Sequence, residues 1–371
     1  MKVAIVHHWL VSMRGGEKVV EALCEMFPQA DLYAHVADPA ALSETLRRRP
    51  IRTTFVGRLP FARRWYARYL PLMPLAIEQL DLRGYELVIT SDAGAVKGVV
   101  APPGAVHVCY CHSPMRYAWD QYHTYREAEG PLTRLLMAPA MHYVRAWDVT
   151  AAARVDRFVC NSAHVAARVR KYYRRESEVI PPPVDTAAHA PAALRQDFYL
   201  LLGQLVRYKR PDVAVEAFNR LGKPLVVIGG GPRLAEVRRA AGPTVHVMGP
   251  QPDAVVRERL GACRALVFPG EEDFGIVPLE AMASGAPVLA YRGGGALETV
   301  VEGATGLFFD QQTPESLADA VRRFEVAEHR FRTETLVARA REFDVAVFKR
   351  RMATAIDRAC EEGGKRGRSP Y

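Results

Sequence analysis

The sequence predicts an α/β chain of two Rossmann-like, doubly wound domains facing each other across a cleft. Three observations lead there. Short apolar strands alternate with helices along both halves, the rhythm of parallel sheets, in which each return to the sheet needs a crossover helix. That rhythm stops once, at Pro181-Pro182-Pro183, and then restarts; a polyproline run is stiff and resists both helix and central-strand pairing. A chain of 371 residues also exceeds one ordinary core, so two domains of about 180 residues are the default.

Taken in order, Met1–Val6 reads as the first strand. Ser12-Met13-Arg14-Gly15-Gly16-Glu17 then leads into a helix, Lys18–Met26, with apolar Val19, Leu23 and Met26. Gly15 and Gly16 let backbone amides approach a phosphate at the positive helix end, although a tight turn alone would also want them. Leu87–Thr90 is the next legible strand, ended by Ser91-Asp92. Val106–Cys111 follows, ended by His112-Ser113-Pro114. A long helical stretch covers 132–155, a strand 157–160 and a helix 163–173, before Glu178-Val179-Ile180 enters the prolines. The second half runs strand 198–202, helix 211–220, strand 225–228, helix 233–240, strand 245–248, helix 252–261, strand 265–268, helix 278–284, strand 288–291 and helix 296–302. A last helix, about 345–360, follows a break at Asp344, and the tail Gly363–Tyr371 is expected to be disordered. The domain limits expected are 1–183 and 184–344, with 345–362 as a terminal helix.

Composition narrows the classes. The chain is 49% hydrophobic and 25% charged, as soluble globular proteins are. It has no run of 18 apolar residues, so no membrane-spanning helix is expected. The start is too short and too soon interrupted by His7-His8 for a secretory signal, and both histidines read as ordinary strand residues. None of the six cysteines stands in Cys-x2-Cys spacing; Cys109 and Cys111 alternate along a strand as core thiols would, which suits a reduced, cytoplasmic protein.

The net charge of +9 is unevenly placed: residues 45–77 hold eight arginines and no acid. Phe61, Trp65 and Tyr69 recur every fourth residue there, an aromatic face beside a basic one of Arg58, Arg63, Arg64 and Arg68. Such a segment suits an anionic membrane surface. A solvated basic helix covering the core is the plain alternative. Nucleic acid is disfavoured because no recognised binding module accompanies the patch.

The chemistry concentrates at Glu271-Glu272-Asp273-Phe274-Gly275-Ile276-Val277-Pro278-Leu279-Glu280. The apolar strand before it breaks at Pro269-Gly270, and Pro278 suits the first turn of the following helix, which Gly285 and Pro287 close. Glu272 therefore lies on a loop at the carboxyl end of a strand, where open α/β sheets bind ligands. Glu280 lies within the helix. Two such carboxylates can accept hydrogen bonds from two separate sugars of one ligand. Three glycine-rich helix starts accompany them: Gly203-Gln204 through Lys209-Arg210 before Pro211, Gly229-Gly230-Gly231, and Gly293-Gly294-Gly295. At the first, Lys209 and Arg210 would meet a diphosphate by charge-assisted hydrogen bonds beside a helix dipole. None of the three has the Gly-x-Gly-x-x-Gly or P-loop spacing, so dinucleotide and ATP readings lose support. Without an Asp-x-Asp motif, no metal or cofactor is expected.

The Glu-x7-Glu spacing of Glu272 and Glu280, with Phe274-Gly275 inside it, resembles the motif of family 4 retaining glycosyltransferases, and the likeness runs from Gly15-Gly16 to the final helix. It implies the GT-B fold, an acceptor-binding first domain, a nucleotide-sugar-binding second domain and a last helix that crosses back to the first. It implies that Glu272, His112 and Lys209 act at the transferred hexose and the diphosphate, and that Gly15, Gly16, Gln204, Arg210, Phe274, Gly275, Ile276, Val277 and Glu280 line the donor, Glu280 on the ribose. Gln204 departs from the arginine that many members carry there, so Arg207 or Arg210 would have to compensate. Asp92 is a candidate on the acceptor side. Tyr208-Lys209-Arg210-Pro211-Asp212, Gly294 through Val300 and Cys111 through Tyr117 look most like mannosyltransferases of lipopolysaccharide and exopolysaccharide synthesis. The expectation is a metal-independent, retaining transfer of mannose from GDP-mannose to a lipid-linked glycan at the inner face of the plasma membrane. A UDP-sugar-dependent member of the same family, or a non-catalytic nucleotide-sugar-binding protein, remain the alternatives.

Overall fold

In the computed structural model, which describes residues 1–127 and 129–366, the chain forms two all-parallel sheets. It divides into two units, residues 1–182 together with the chain from Phe348 onward, and Pro183–Val347.

The first unit holds β1 (Val3–Leu10), β2 (Asp31–Ala37), β3 (Ile51–Thr53), β4 (Leu87–Asp92), β5 (Val106–Cys111), β6 (Arg157–Cys160) and β7 (Ser177–Val179), in the order β3-β2-β1-β4-β5-β6-β7. β1, β4 and β5 are buried almost throughout, as strands covered by helices on both faces must be. Helix Gly15–Met26 buries Val19, Val20, Ala22, Leu23 and Cys24, one stripe of a 3.6-residue period. Helix Ala163–Tyr173 starts where Ser162 accepts a hydrogen bond from the Val165 amide, a side-chain cap on an otherwise orphaned donor.

The second unit holds β8 (Tyr199–Leu202), β9 (Leu225–Ile228), β10 (Val245–Gly249), β11 (Leu266–Phe268), β12 (Val288–Tyr291) and β13 (Gly306–Phe309), ordered β10-β9-β8-β11-β12-β13. Helix Pro211–Leu221 opens with proline at its first position and closes on Gly222 in the left-handed region, burying Val213, Ala214, Val215, Ala217 and Phe218. Two cores, one on each face of the sheet, contain most of the apolar side chains of this unit.

Two expectations change. Strands β2, β3 and β13 occur where no strand was expected. The terminal helix runs Val345–Arg366, through Gly363 and Gly364, instead of giving way to a disordered tail. Gly363 makes this possible: a Cβ there would lie 2.7 Å from Val106, so only a bare Cα lets the helix approach the start of β5. Residues 367–371 of the expected tail lie outside the described residues.

Candidate active site

In the second unit the strand order reverses between β8 and β11, and ligands of open α/β sheets bind outside the strand ends at such a switch point. Lys209 Nζ and Glu272 Oε1 meet there at 2.8 Å, with side chains 20% and 17% exposed. Glycines make the approach possible. Lys209 Nζ is 3.5 Å from where a Cβ on Gly203 would be, and a Cβ on Gly270 would lie 2.6 Å from Lys209 Cα. Gln204 is exposed and lines one shallow depression with Gly203, Lys209, Gly270 and Glu272. Arg210 adopts a left-handed backbone, φ 50°, and its guanidinium binds Asp212 through Nε at 3.0 Å.

The acid loop rests on the third glycine run. Gly295 N donates to Glu272 O at 2.8 Å, and a Cβ on Gly295 would stand 2.2 Å from Phe274 Cα. Gly293-Gly294-Gly295 therefore supports the loop and does not open a helix with bare amides; the helix after it has four residues, Ala296–Thr299. Phe274 also departs from expectation. It is 3% exposed and packs in the core against Phe343, so its ring stands away from any ligand. Gly275, φ 86°, caps helix Ile276–Ala283. Ile276 and Val277 supply its first-turn amides, which lack helical acceptors, and Glu280 lies partly exposed in its second turn.

In the first unit the order reverses between β1 and β4. The register sets His7 beside Ser91. His7 Nδ1 lies 3.0 Å from both the carbonyl and the hydroxyl oxygen of Ser91, and that hydroxyl lies 2.7 Å from His112 Nε2. Gly16 closes the group: a Cβ there would be 3.3 Å from His7 Cε1 and 3.7 Å from His112 Nε2. The main chain of His112 is clamped, its N–H donating to Asp92 O at 2.7 Å and its carbonyl accepting from Asn161 Nδ2 at 2.9 Å. Burial depresses the His112 pKa to about 3 and that of His7 well below the usual imidazole range, so both rings are neutral. Gly15 and Gly16 begin the helix, partly exposed.

Residues 13–188 match the family "Glycosyltransferase Family 4", and residues 187–341 match "Glycosyl transferases group 1". Together the two matches span residues 13–341 of the chain. A D-inositol 3-phosphate glycosyltransferase of Nocardiopsis dassonvillei is 30% identical over 223 residues, 50% of this chain and 51% of the relative. A GDP-mannose-dependent α-(1-6)-phosphatidylinositol monomannoside mannosyltransferase of Mycolicibacterium smegmatis is 31% identical over 240 residues, 52% and 62% respectively. The chain thus spans between about half and three fifths of the length of these curated relatives. HepE of Anabaena, solved with UDP, superposes with a TM-score of 0.73 at 16% identity, over 96% of this chain and 100% of its own. The fold is GT-B, built here from a seven-stranded and a six-stranded parallel sheet.

Two further expectations change. Asp92 is fully buried and serves the interior. Its oxygens accept from the amides of Gly94 and Val96 and from Lys97 Nζ at 3.1 Å, and Lys97 also pairs with buried Asp148. A carboxylate enclosed this way cannot reach an acceptor. The aromatic stripe is also not one helix face. Phe61 is left-handed, φ 53°, the helix spans only Ala62–Trp65, and a 3-10 stretch, Tyr66–Leu72, follows. Tyr69 turns back, donating to Pro60 O at 2.8 Å. Phe61 (67% exposed) and Trp65 (36%) remain outside, ring centroids 4.8 Å apart, with exposed Arg58, Arg63, Arg64 and Arg68 around them and Arg68 over the Trp65 ring. Sequence reasoning missed Ser91 and His7 as site residues. Their one signal was a polar residue in each of two apolar strands, His7 within β1 and Ser91 near the end of β4.

Proposed function

We propose that this protein is a retaining, metal-independent hexosyltransferase that moves mannose from GDP-mannose to a lipid-linked glycan acceptor in cell-surface polysaccharide synthesis. The observation that carries this reading is the Lys209–Glu272 pair on glycine-opened loops at the β8/β11 switch point. Lys209 and the first-turn amides of Ile276 and Val277 take the diphosphate, Glu272 the hydroxyls of the hexose, and Glu280 the ribose. Gln204 offers an uncharged hydrogen bond where an arginine would bring charge, and Arg210, bonded to Asp212, supports the helix start beside it. In the first unit, Gly16, His7 and His112 cluster at the β1/β4 switch point, where His112 and the Gly15 and Gly16 amides offer hydrogen bonds to a ligand. In the transfer the C1–O bond to the phosphate breaks, the acceptor oxygen bonds to C1 on the same face, and the acceptor proton passes to the departing phosphate. The protein's part is electrostatic and orientational. The name of the M. smegmatis relative favours a GDP-mannose donor.

A second reading keeps the chemistry and changes the acceptor to a soluble inositol phosphate, as the name of the N. dassonvillei relative suggests. The lipid-linked reading is supported by exposed Phe61 and Trp65 among arginines, a patch suited to the anionic inner face of the plasma membrane. Thermal-shift screening with GDP, UDP, ADP and their sugars tests the donor, because a true ligand raises apparent stability by mass action. Stabilisation by GDP and GDP-mannose is expected. Stabilisation by UDP-sugars alone would replace the donor, and stabilisation by none would sink the reading.

A further inference from the structure

His7 within β1, Ser91 near the end of β4 and His112 just after β5 set a direction as well as a position. His7 Nδ1 lies 3.0 Å from the Ser91 carbonyl oxygen, which can only accept, and His7 Nε2 is buried with no partner among the described residues; a proton on Nε2 would be an unpaired buried donor, so the favoured arrangement carries it on Nδ1. The Ser91 hydroxyl, 3.0 Å from the same nitrogen, then stands as an acceptor on that side and must direct its own proton elsewhere. His112 Nε2, at 2.7 Å, is the place for it. The reverse arrangement, an Nε2–H of His112 donating to Ser91, would leave the hydroxyl proton of a fully buried serine with no acceptor among the described residues. Desolvated donors left unpaired are disfavoured. A neutral His112 that accepts at Nε2 keeps its proton on Nδ1. That nitrogen has no hydrogen-bond partner among the described residues, and His112 is partly exposed while His7 is not.

We propose that Ser91 is a positioning residue that holds His112 as an Nδ1–H donor toward an oxygen of the bound ligand, with His7 as the anchor that sets the direction of the chain. The backbone clamps at Asp92 and Asn161 fix where His112 stands; the hydroxyl of Ser91 fixes which nitrogen carries the proton. Gly16 is part of the device, because any side chain there would press on the His7 ring at 3.3 Å. A neutral N–H donor fits an uncharged sugar oxygen, or one that gains negative charge as the bond to phosphate breaks. The identity of that ligand rests on the proposed glycosyl transfer; the direction of the hydrogen bonds does not.

The test uses the full chain with 15N-labelled histidine at pH 7.5. Long-range proton–nitrogen correlation in the wild type should show His112 protonated at Nδ1 and bare at Nε2. Ser91→Ala should shift His112 toward the Nε2–H form and lower kcat about 10- to 100-fold, a partial loss of one donor worth up to a thousandfold where such donors are removed outright. The KM for the sugar nucleotide should stay within about twofold. Ser91→Thr, which keeps the hydroxyl, should restore both the spectrum and most of kcat. A wild-type His112 protonated at Nε2 would overturn the proposal, as would a Ser91→Ala enzyme with altered tautomer and unchanged kcat. If the wild type transfers no sugar from any nucleotide donor, the functional reading fails, while the spectrum still decides the hydrogen-bond direction.

Discussion

Lowering the pH from 7.5 to 5.5 loads protons onto the unfolded form of the first unit that its folded form refuses. His7, His8, His35 and His107 are buried, and each has one ring nitrogen with no partner. Burial is the main cause that holds the His8 pKa at about 4, those of His35 and His107 at about 3, and that of His7 well below the ordinary value. A depressed histidine pKa means that the unfolded chain binds more protons below pH 6.5, so stability is complete above that pH and falls as the pH drops toward the folded values. At pH 5.5 the loss is about 1.4 kcal/mol per histidine, about 6 kcal/mol for the four and about 7 kcal/mol with His112, whose pKa burial holds at about 3. That is comparable with the 5–15 kcal/mol a domain typically has in all. Glu17 and Asp92, buried carboxyls with raised pKa, oppose this only nearer their own titration range. The assay is unit-specific, because Trp9, Trp65, Trp119 and Trp147, the four tryptophans of the chain, all lie in the first unit. With a urea dependence of about 2–3 kcal/mol per molar, the midpoint followed by tryptophan emission should fall by about 2 M between pH 7.5 and 5.5. A shift under about 0.5 M would refute the reasoning.

Glu272→Ala should reduce transfer below detection while GDP affinity measured by calorimetry stays within about fivefold, because loss of a partly exposed pair partner costs Lys209 about 1 kcal/mol or less; loss of nucleotide binding would remove Glu272 from the hexose. Gly295→Ala places a Cβ 2.2 Å from Phe274 Cα, against backbone that cannot yield, and should destabilise the second unit by about 2–4 kcal/mol in urea melts followed by circular dichroism. Lys97→Met leaves Asp92 and Asp148 buried without their cation and should cost about 3–5 kcal/mol in the tryptophan-detected melt. Phe61→Ala with Trp65→Ala should lower affinity for anionic phospholipid vesicles about tenfold or more in sedimentation, with little effect on neutral vesicles; unchanged binding would remove the patch from the membrane.

Much of the fold was legible because parallel strands buried on both faces read as unbroken apolar runs. Val106–Cys111 and Leu225–Ile228 coincide with β5 and β9, and helix 163–173 with the observed Ala163–Tyr173. Strand β2 was not legible, because Tyr33 and His35 interrupt its apolar pattern. The Tyr33 hydroxyl meets that of Tyr85 at 2.9 Å and His35 Nδ1 meets the Thr54 hydroxyl at 3.1 Å, partners that sequence spacing does not reveal. The four-residue spacing of Phe61, Trp65 and Tyr69 misled for the opposite reason: it is as compatible with a left-handed turn and a 3-10 stretch as with one helix face, and Pro71 lies inside that stretch. At the site, glycines and acids were visible singly, but their pairing was not. Lys209 reaches Glu272 only because β8 and β11 are neighbours across a switch point, and His7 reaches Ser91 only because β1 and β4 are. In both units the strands that meet are far apart in sequence. A glycine beside each meeting, Gly203 or Gly16, leaves room for the side chains that meet there. The residues that are conspicuous in the sequence therefore mark where the backbone must come close. The groups that bear the chemistry are chosen by sheet order, which is why Ser91, inconspicuous after an apolar run, holds the histidine that the sequence had singled out.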